Sequence, residues 1–108
     1  LVATQNDVAR TGAAYERVVA LDPFDAQAQT MTGRAAMGRR DAPRALRAFR
    51  AALASAPADR ASAHTDLAAA YLLGGDPVEA KRQALAALEL APTFERAQDL
   101  LLDIVDAR

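Results

Sequence analysis

Cysteine and tryptophan are absent from this chain, and histidine and lysine occur once each, as His64 and Lys81. Without cysteine there is no disulfide framework, no zinc–thiolate site and no thiol nucleophile. The compartment stays open, because a cysteine-free protein suits either redox environment. Charge of one sign is also lacking. Thirteen basic and 14 acidic residues leave a net charge of −1, which gives no reason to expect nucleic acid or an anionic membrane as partner. No apolar run approaches the roughly 18 residues that would span a bilayer. The chain starts at Leu1 with neither an initiator methionine nor a secretory leader pattern. It reads as a segment of a longer protein, so cytoplasm and periplasm both remain open.

The motifs of catalysis are missing too. There is no glycine-rich phosphate loop, no nucleophile elbow and no HExxH pair. His64 has no second histidine or cysteine to complete a metal or acid–base site. It is expected to be a packing residue. Asp66 follows it by two positions, on another helix face, so a carboxylate–histidine pair is not expected. Asp99, Asp103 and Asp106 share a helix face, but they lack the loop geometry and carbonyl ligands of a Ca²⁺ site and read as a solvated face. The chain is therefore expected to be no enzyme and to carry no cofactor or metal.

What is present is alanine. Apolar residues make up 52% of the chain, while aromatics reach only 5%. Alanine loses no side-chain entropy in a helix and lets helices approach closely. An all-α protein follows. The excess of alanine, with arginine almost replacing lysine, also points to a G+C-rich bacterial genome.

A repeat organises these helices. Pro23, Pro57 and Pro92 end the similar segments YERVVALDP, FRAALASAP and ALAALELAP, at spacings of 34 and then 35 residues. Proline stops a helix and biases its predecessor away from helical geometry. Asp25, Asp59 and Thr93 follow as expected N-caps. A second break divides each repeat, at 38–43 and again at Gly74-Gly75-Asp76-Pro77. In the latter a glycine cap, an aspartate N-cap, proline at N1 and Glu79 at N3 spell a helix, a tight turn and another helix. The expectation is about six helices, near 5–21, 25–38, 42–55, 60–73, 77–90 and 94–107, with neighbours antiparallel.

The pattern resembles the tetratricopeptide repeat (TPR). In residues 61–94, Leu67, Ala68, Tyr71, Gly75, Ala80, Ala87, Leu88 and Pro92 fall where that family places such residues. Residues 26–59 fit more loosely, through Gly33, Ala45, Phe49, Ala52, Leu53 and Pro57, with Thr32 and Ala36 departing from the usual leucine and tyrosine. Residues 8–23 resemble a half repeat, with Tyr15 in register, and 95–107 a final or capping helix. The resemblance implies one domain of antiparallel helix-turn-helix units stacked in a right-handed solenoid. Tyr15, Phe49, Leu53, Leu67, Tyr71 and Leu88 are the expected core, with Leu101, Ile104 and Val105 sealing the last helix.

The resemblance also implies a function, the holding of a peptide or helix of a protein partner in a concave groove lined by the first helix of each repeat. Thr30, Arg34, Met37, Thr65, Ala69, Leu72, Asp99 and Asp103 are the expected partner-binding residues, flanked by Gln27, Ser62, Leu73, Arg96 and Asp106. The lysine–asparagine set with which some members grip a C-terminal carboxylate is absent. An apolar segment with a basic end suits these residues. Two alternatives stand beside this one: an accessory C-terminal module of a larger parent protein, such as an enzyme, and a self-association module that dimerises through the incomplete N-terminal repeat. The arginines at 39, 40, 44, 47 and 50 form a basic run that reads as a solubilising face.

Overall fold

Aspartate caps and alanine-rich runs wind five α-helices in the computed structural model, which describes residues 25–106. They are α1 (Ala26–Gly38), α2 (Ala42–Ala54), α3 (Arg60–Leu73), α4 (Pro77–Leu90) and α5 (Glu95–Asp106). These bounds lie within one residue of those expected. The expected helix near 5–21, and with it Tyr15 and the half repeat 8–23, falls outside the described residues. No strand occurs among the described residues.

The caps explain the boundaries. The Oδ1 atoms of Asp25, Asp41, Asp59 and Asp76 accept hydrogen bonds from the amides of Ala28, Arg44, Ser62 and Glu79, at 3.0–3.2 Å. Each satisfies an amide that the first helical turn would leave unpaired. Asp41 caps α2 although the sequence pattern had not singled it out. Thr93 does not cap α5: the first backbone bonds of that helix, donated by the amides of Ala97 and Gln98, go to the carbonyl of Phe94, one residue further on.

The turns between α1 and α2 and between α3 and α4 are built alike. Asp41 N–H donates to the carbonyl of Ala36, and Asp76 N–H to that of Tyr71, both at 2.9 Å. These are the six-to-one bonds of a Schellman cap, so each aspartate closes one helix with its amide and opens the next with its side chain. The residue before each aspartate is left-handed: Gly75 has φ 83° and Arg40 has φ 58°. Glycine adopts this geometry without cost, whereas a Cβ is strained there. Arg40→Gly is therefore expected to stabilise the fold by about 0.5–1 kcal/mol, read as a higher urea midpoint at unchanged m-value.

Each helix packs on the next in sequence. In addition, α3 touches both α1 and α5, while α2 and α4 do not meet. The chain therefore places α1, α3 and α5 side by side, with α2 and α4 behind them. As the central element α3 is buried almost all round, through Ala61, Ala63, Thr65, Asp66, Leu67, Ala68 and Ala70.

Two apolar clusters fill the interior. The first joins Ala36, Ala45, Phe49, Leu67 and Ala70, and the second Ala68, Ala80, Ala84 and Ile104. Tyr71 packs against both, while its hydroxyl accepts a 3.2 Å bond from Arg50 Nε at the surface. Of the expected core, Phe49 and Leu67 are buried, and Leu53, Tyr71 and Leu88 are half-buried. Ile104 seals α5, but Val105 is exposed, because it lies one residue round the helix from the buried stripe.

Gly33 and Phe49 fit by volume. A Cβ on Gly33 would lie 2.4 Å from Phe49 Cε1, well inside contact distance. Thirty-five residues further along the chain stand Ala68 and Ala84, both fully buried. Gly33→Ala therefore forces the buried ring to move, an overpacking cost of about 1–3 kcal/mol. Helix propensity returns only about 0.5–1 kcal/mol, so the variant is expected to unfold at lower urea than the parent protein.

Candidate functional site

Helices α1, α3 and α5 expose two open clefts along their common face. The first, about 400 Å³, runs between α1 and the start of α3, with Gln27, Thr30, Met31, Arg34, Asp59, Ser62 and Asp66 among its lining residues. The second, about 480 Å³, lies between α3 and α5 and is lined by Ala69, Glu95, Arg96, Asp99, Leu100 and Asp103.

A buried carboxylate connects them. The Asp66 side chain is only 3% exposed. Its Oδ2 accepts from Arg34 Nη2 of α1 at 3.3 Å, and its Oδ1 accepts from Arg96 Nη2 of α5. A buried ion must be paired and hydrogen-bonded to be tolerated. Here one carboxylate of the central helix satisfies that demand with an arginine from each side. Both arginines stay about half exposed, so their remaining N–H groups meet solvent.

At the mouth of the first cleft, Asp59 caps α3 twice over. Its Oδ1 accepts from Ser62 N at 3.0 Å and its Oδ2 from Ser62 Oγ at 2.7 Å. The backbone bond from Ser62, then the hydroxyl bond, hold the Asp59 carboxyl below its ordinary value near 3.8. A depressed folded-state pKa contributes stability above the unfolded value, and that contribution is lost as pH falls through the folded one. Asp59→Ala is expected to cost about 0.5–2 kcal/mol at pH 7 and less at pH 3, below the ordinary carboxyl value near 3.8. Urea titrations at the two pH values measure the difference.

The expected partner-binding residues separate into groups. Arg34, Thr30, Ala69, Asp99 and Asp103 line the clefts, although the Thr30 hydroxyl already donates to Ala26 O at 2.8 Å. Met37 and Leu72 are half-buried against the two core clusters and line neither cleft. Thr65 is fully buried, and its hydroxyl donates to Ala61 O at 2.8 Å. It cannot meet a partner: α3 is covered on both flanks, so a position that would face outward on a lone pair of helices is enclosed.

Sequence reasoning missed the centre of the site. Asp66 was weighed only against His64, which instead bonds through Nδ1 to Gln83 Oε1 at 2.8 Å, between α3 and α4. Glu95 and Leu100 were missed as well, although Glu95 lies one turn before Asp99 and Leu100 one turn before Asp103. Among the described residues no cluster of three or more histidine, cysteine or acidic side chains is arranged to hold a metal ion, and no helix is long and apolar enough to cross a membrane. Comparison with protein-family models and with curated proteins finds no match.

Proposed function

We propose that the chain is a TPR-like protein-interaction module that holds a peptide or helix of another protein along the α1–α3–α5 face. The observation that carries this reading is the pair of open clefts on alternate helices, joined across α3 by Asp66. Such a face supplies what a bound segment needs: small floor residues at Ala63 and Ala69, and polar groups at fixed positions along the rim. The recurrence in register of residues 26–59 and 61–94 supports a stacked-repeat reading, and stacked repeats build extended binding surfaces of this kind. Two repeats offer a small surface, so the interface is expected to bury less than about 1,200 Å², in the transient range.

Charge reversal tests the reading. Once a binding peptide has been selected, Asp99→Lys/Asp103→Lys is expected to weaken it, while Arg47→Glu on the opposite side leaves it unchanged. Equal effects from the two variants would show that binding does not use this face.

A second reading has its own observation. Val78, Leu102 and Val105 are exposed, and an apolar cleft of about 370 Å³ lies between α4 and α5, lined by Pro77, Val78, Lys81, Ile104 and Val105. Such a face suits packing on a parent domain or on a second copy. Light scattering over a concentration series separates a self-associating chain from a monomeric one.

A further inference from the structure

We propose that the segment held on the α1–α3–α5 face is basic, and that Asp66 sets this preference by taking up both cations that line the two clefts. The proposal rests on the groove reading above and adds the charge of the occupant.

The clefts are lined by two arginines, Arg34 and Arg96, against the carboxylates of Asp59, Asp66, Glu95, Asp99 and Asp103. Both arginines are tied to the same buried carboxylate. Asp59 is turned toward Ser62. What the second cleft offers a partner is therefore a floor of Ala69 and Leu100 beneath Glu95, Asp99 and Asp103, the last three exposed.

A lysine or arginine matches that layout in both its parts. Its alkyl stem lies on the apolar floor while its charged head reaches the carboxylate rim. The three carboxylates do not converge as metal ligands do, and a long side chain can meet spaced carboxylates that a single ion cannot bridge. An acidic segment meets like charge at the rim, and the two arginines, which share Asp66 beneath and are about half exposed, offset that repulsion only in part. Such like-charge juxtaposition suppresses wrong partners more strongly than each favourable contact adds affinity.

Asp66 is thus a specificity-determining residue that touches the partner only through its two arginines. Neutralising it leaves both guanidinium groups in place with their fixed anion gone, so the centre of the face becomes a site for anions. Neutralising the rim instead removes the attraction for cations and leaves the centre as it was.

The test is selection of a random 12-residue phage-displayed library on the 108-residue chain. Synthetic peptides with a common apolar centre and lysine or glutamate flanks are then titrated by fluorescence anisotropy at about 50 and 150 mM salt. The selected pool is expected to be enriched in lysine and arginine, and the lysine-flanked peptide to bind at least about tenfold more tightly than the glutamate-flanked one at the lower salt. Asp99→Asn/Asp103→Asn changes two exposed residues and is expected to lose about five- to tenfold of the lysine-flanked affinity. Asp66→Asn, checked for helicity by circular dichroism, is expected to raise the glutamate-flanked affinity several-fold and narrow the ratio. A pool enriched without basic residues, or a rim variant that keeps full preference, overturns the charge assignment while the groove reading stands. A library with no enrichment over the Asp99→Lys/Asp103→Lys chain overturns both. If Asp66→Asn does not fold, the rim variant alone decides.

Discussion

Leu67→Ala is expected to destabilise the fold by about 2–5 kcal/mol. Leu67 is 3% exposed and packs with Ala36, Ala45, Phe49 and Ala70 in the first core cluster. Its surroundings decide where in the range the cost falls. A cavity is cheap when neighbouring side chains can swing into it and expensive when they cannot. Three of the four buried neighbours are alanines, which have no rotamer to change, and the fourth, Phe49, is held against Gly33. Only the half-buried Met37, Leu46, Leu53 and Tyr71 packed against the cluster can lean into the hole, and their movement sets how much of it closes. Urea denaturation of the parent chain and of Leu67→Ala measures the effect, with Leu85→Ala as control. Leu85 is 42% exposed and should cost well under half as much. A Leu67→Ala midpoint equal to that of the parent would show that this cluster is not the centre of the core.

The helix boundaries could be read from the chain because their signals are local. Helix ends are written in short-range chemistry: Asp76 before Pro77, Gly75 in the left-handed position, Asp59 before the run from Arg60. Every one of these acts within a few residues, so a linear reading finds it. Arg40 and Asp41 carry the same duties as Gly75 and Asp76 with less distinctive residues. Only the shared hydrogen-bond pattern of the two turns, Asp41 to Ala36 and Asp76 to Tyr71, shows that they are equivalent. Thr93 was a reasonable cap by residue type, but the turn after Pro92 runs one residue longer and gives that place to Phe94.

The candidate site was less legible, for a definite reason. The tie through Asp66 joins residues 32 and 30 positions apart, close to one repeat in each direction, yet it is not itself repeated. One period from Asp66 stands Met31, and one period from Arg34 stands Ala69. Recurrence marks only positions that match, and the polar centre of this face consists of positions that differ. Thr65 fails in the opposite sense. It was placed on the groove by its register within a repeat, but a central helix has neighbours on both sides, and α5 and α1 flank the face that register alone would leave open. The rim residues Asp99 and Asp103 were accessible to sequence reasoning because they follow helical spacing on the last described helix.

Removing both arginines from the tie is the second substitution expected to have a large effect. Arg34→Ala/Arg96→Ala leaves a carboxylate that is 3% exposed with neither of its two cations. Stranding a buried charge costs about 3–5 kcal/mol. The lower end applies here, because both arginine side chains are about half exposed and water can enter the space they vacate. Each single variant should cost only about 1 kcal/mol, since the remaining arginine keeps Asp66 paired. The double variant should therefore exceed the sum of the singles by more than 0.5 kcal/mol, which independent surface ion pairs would not do. Adding Asp66→Asn to the double variant supplies the decisive comparison. If the cost arises from the stranded charge, the triple variant recovers most of it, because a neutral amide needs no counter-ion. If the cost arises from lost packing of the arginine stems, the triple variant is no more stable than the double. A full double-mutant cycle by urea denaturation, closed with the triple variant, separates the two, and additive singles with no rescue would reduce the Asp66 tie to an ordinary surface contact.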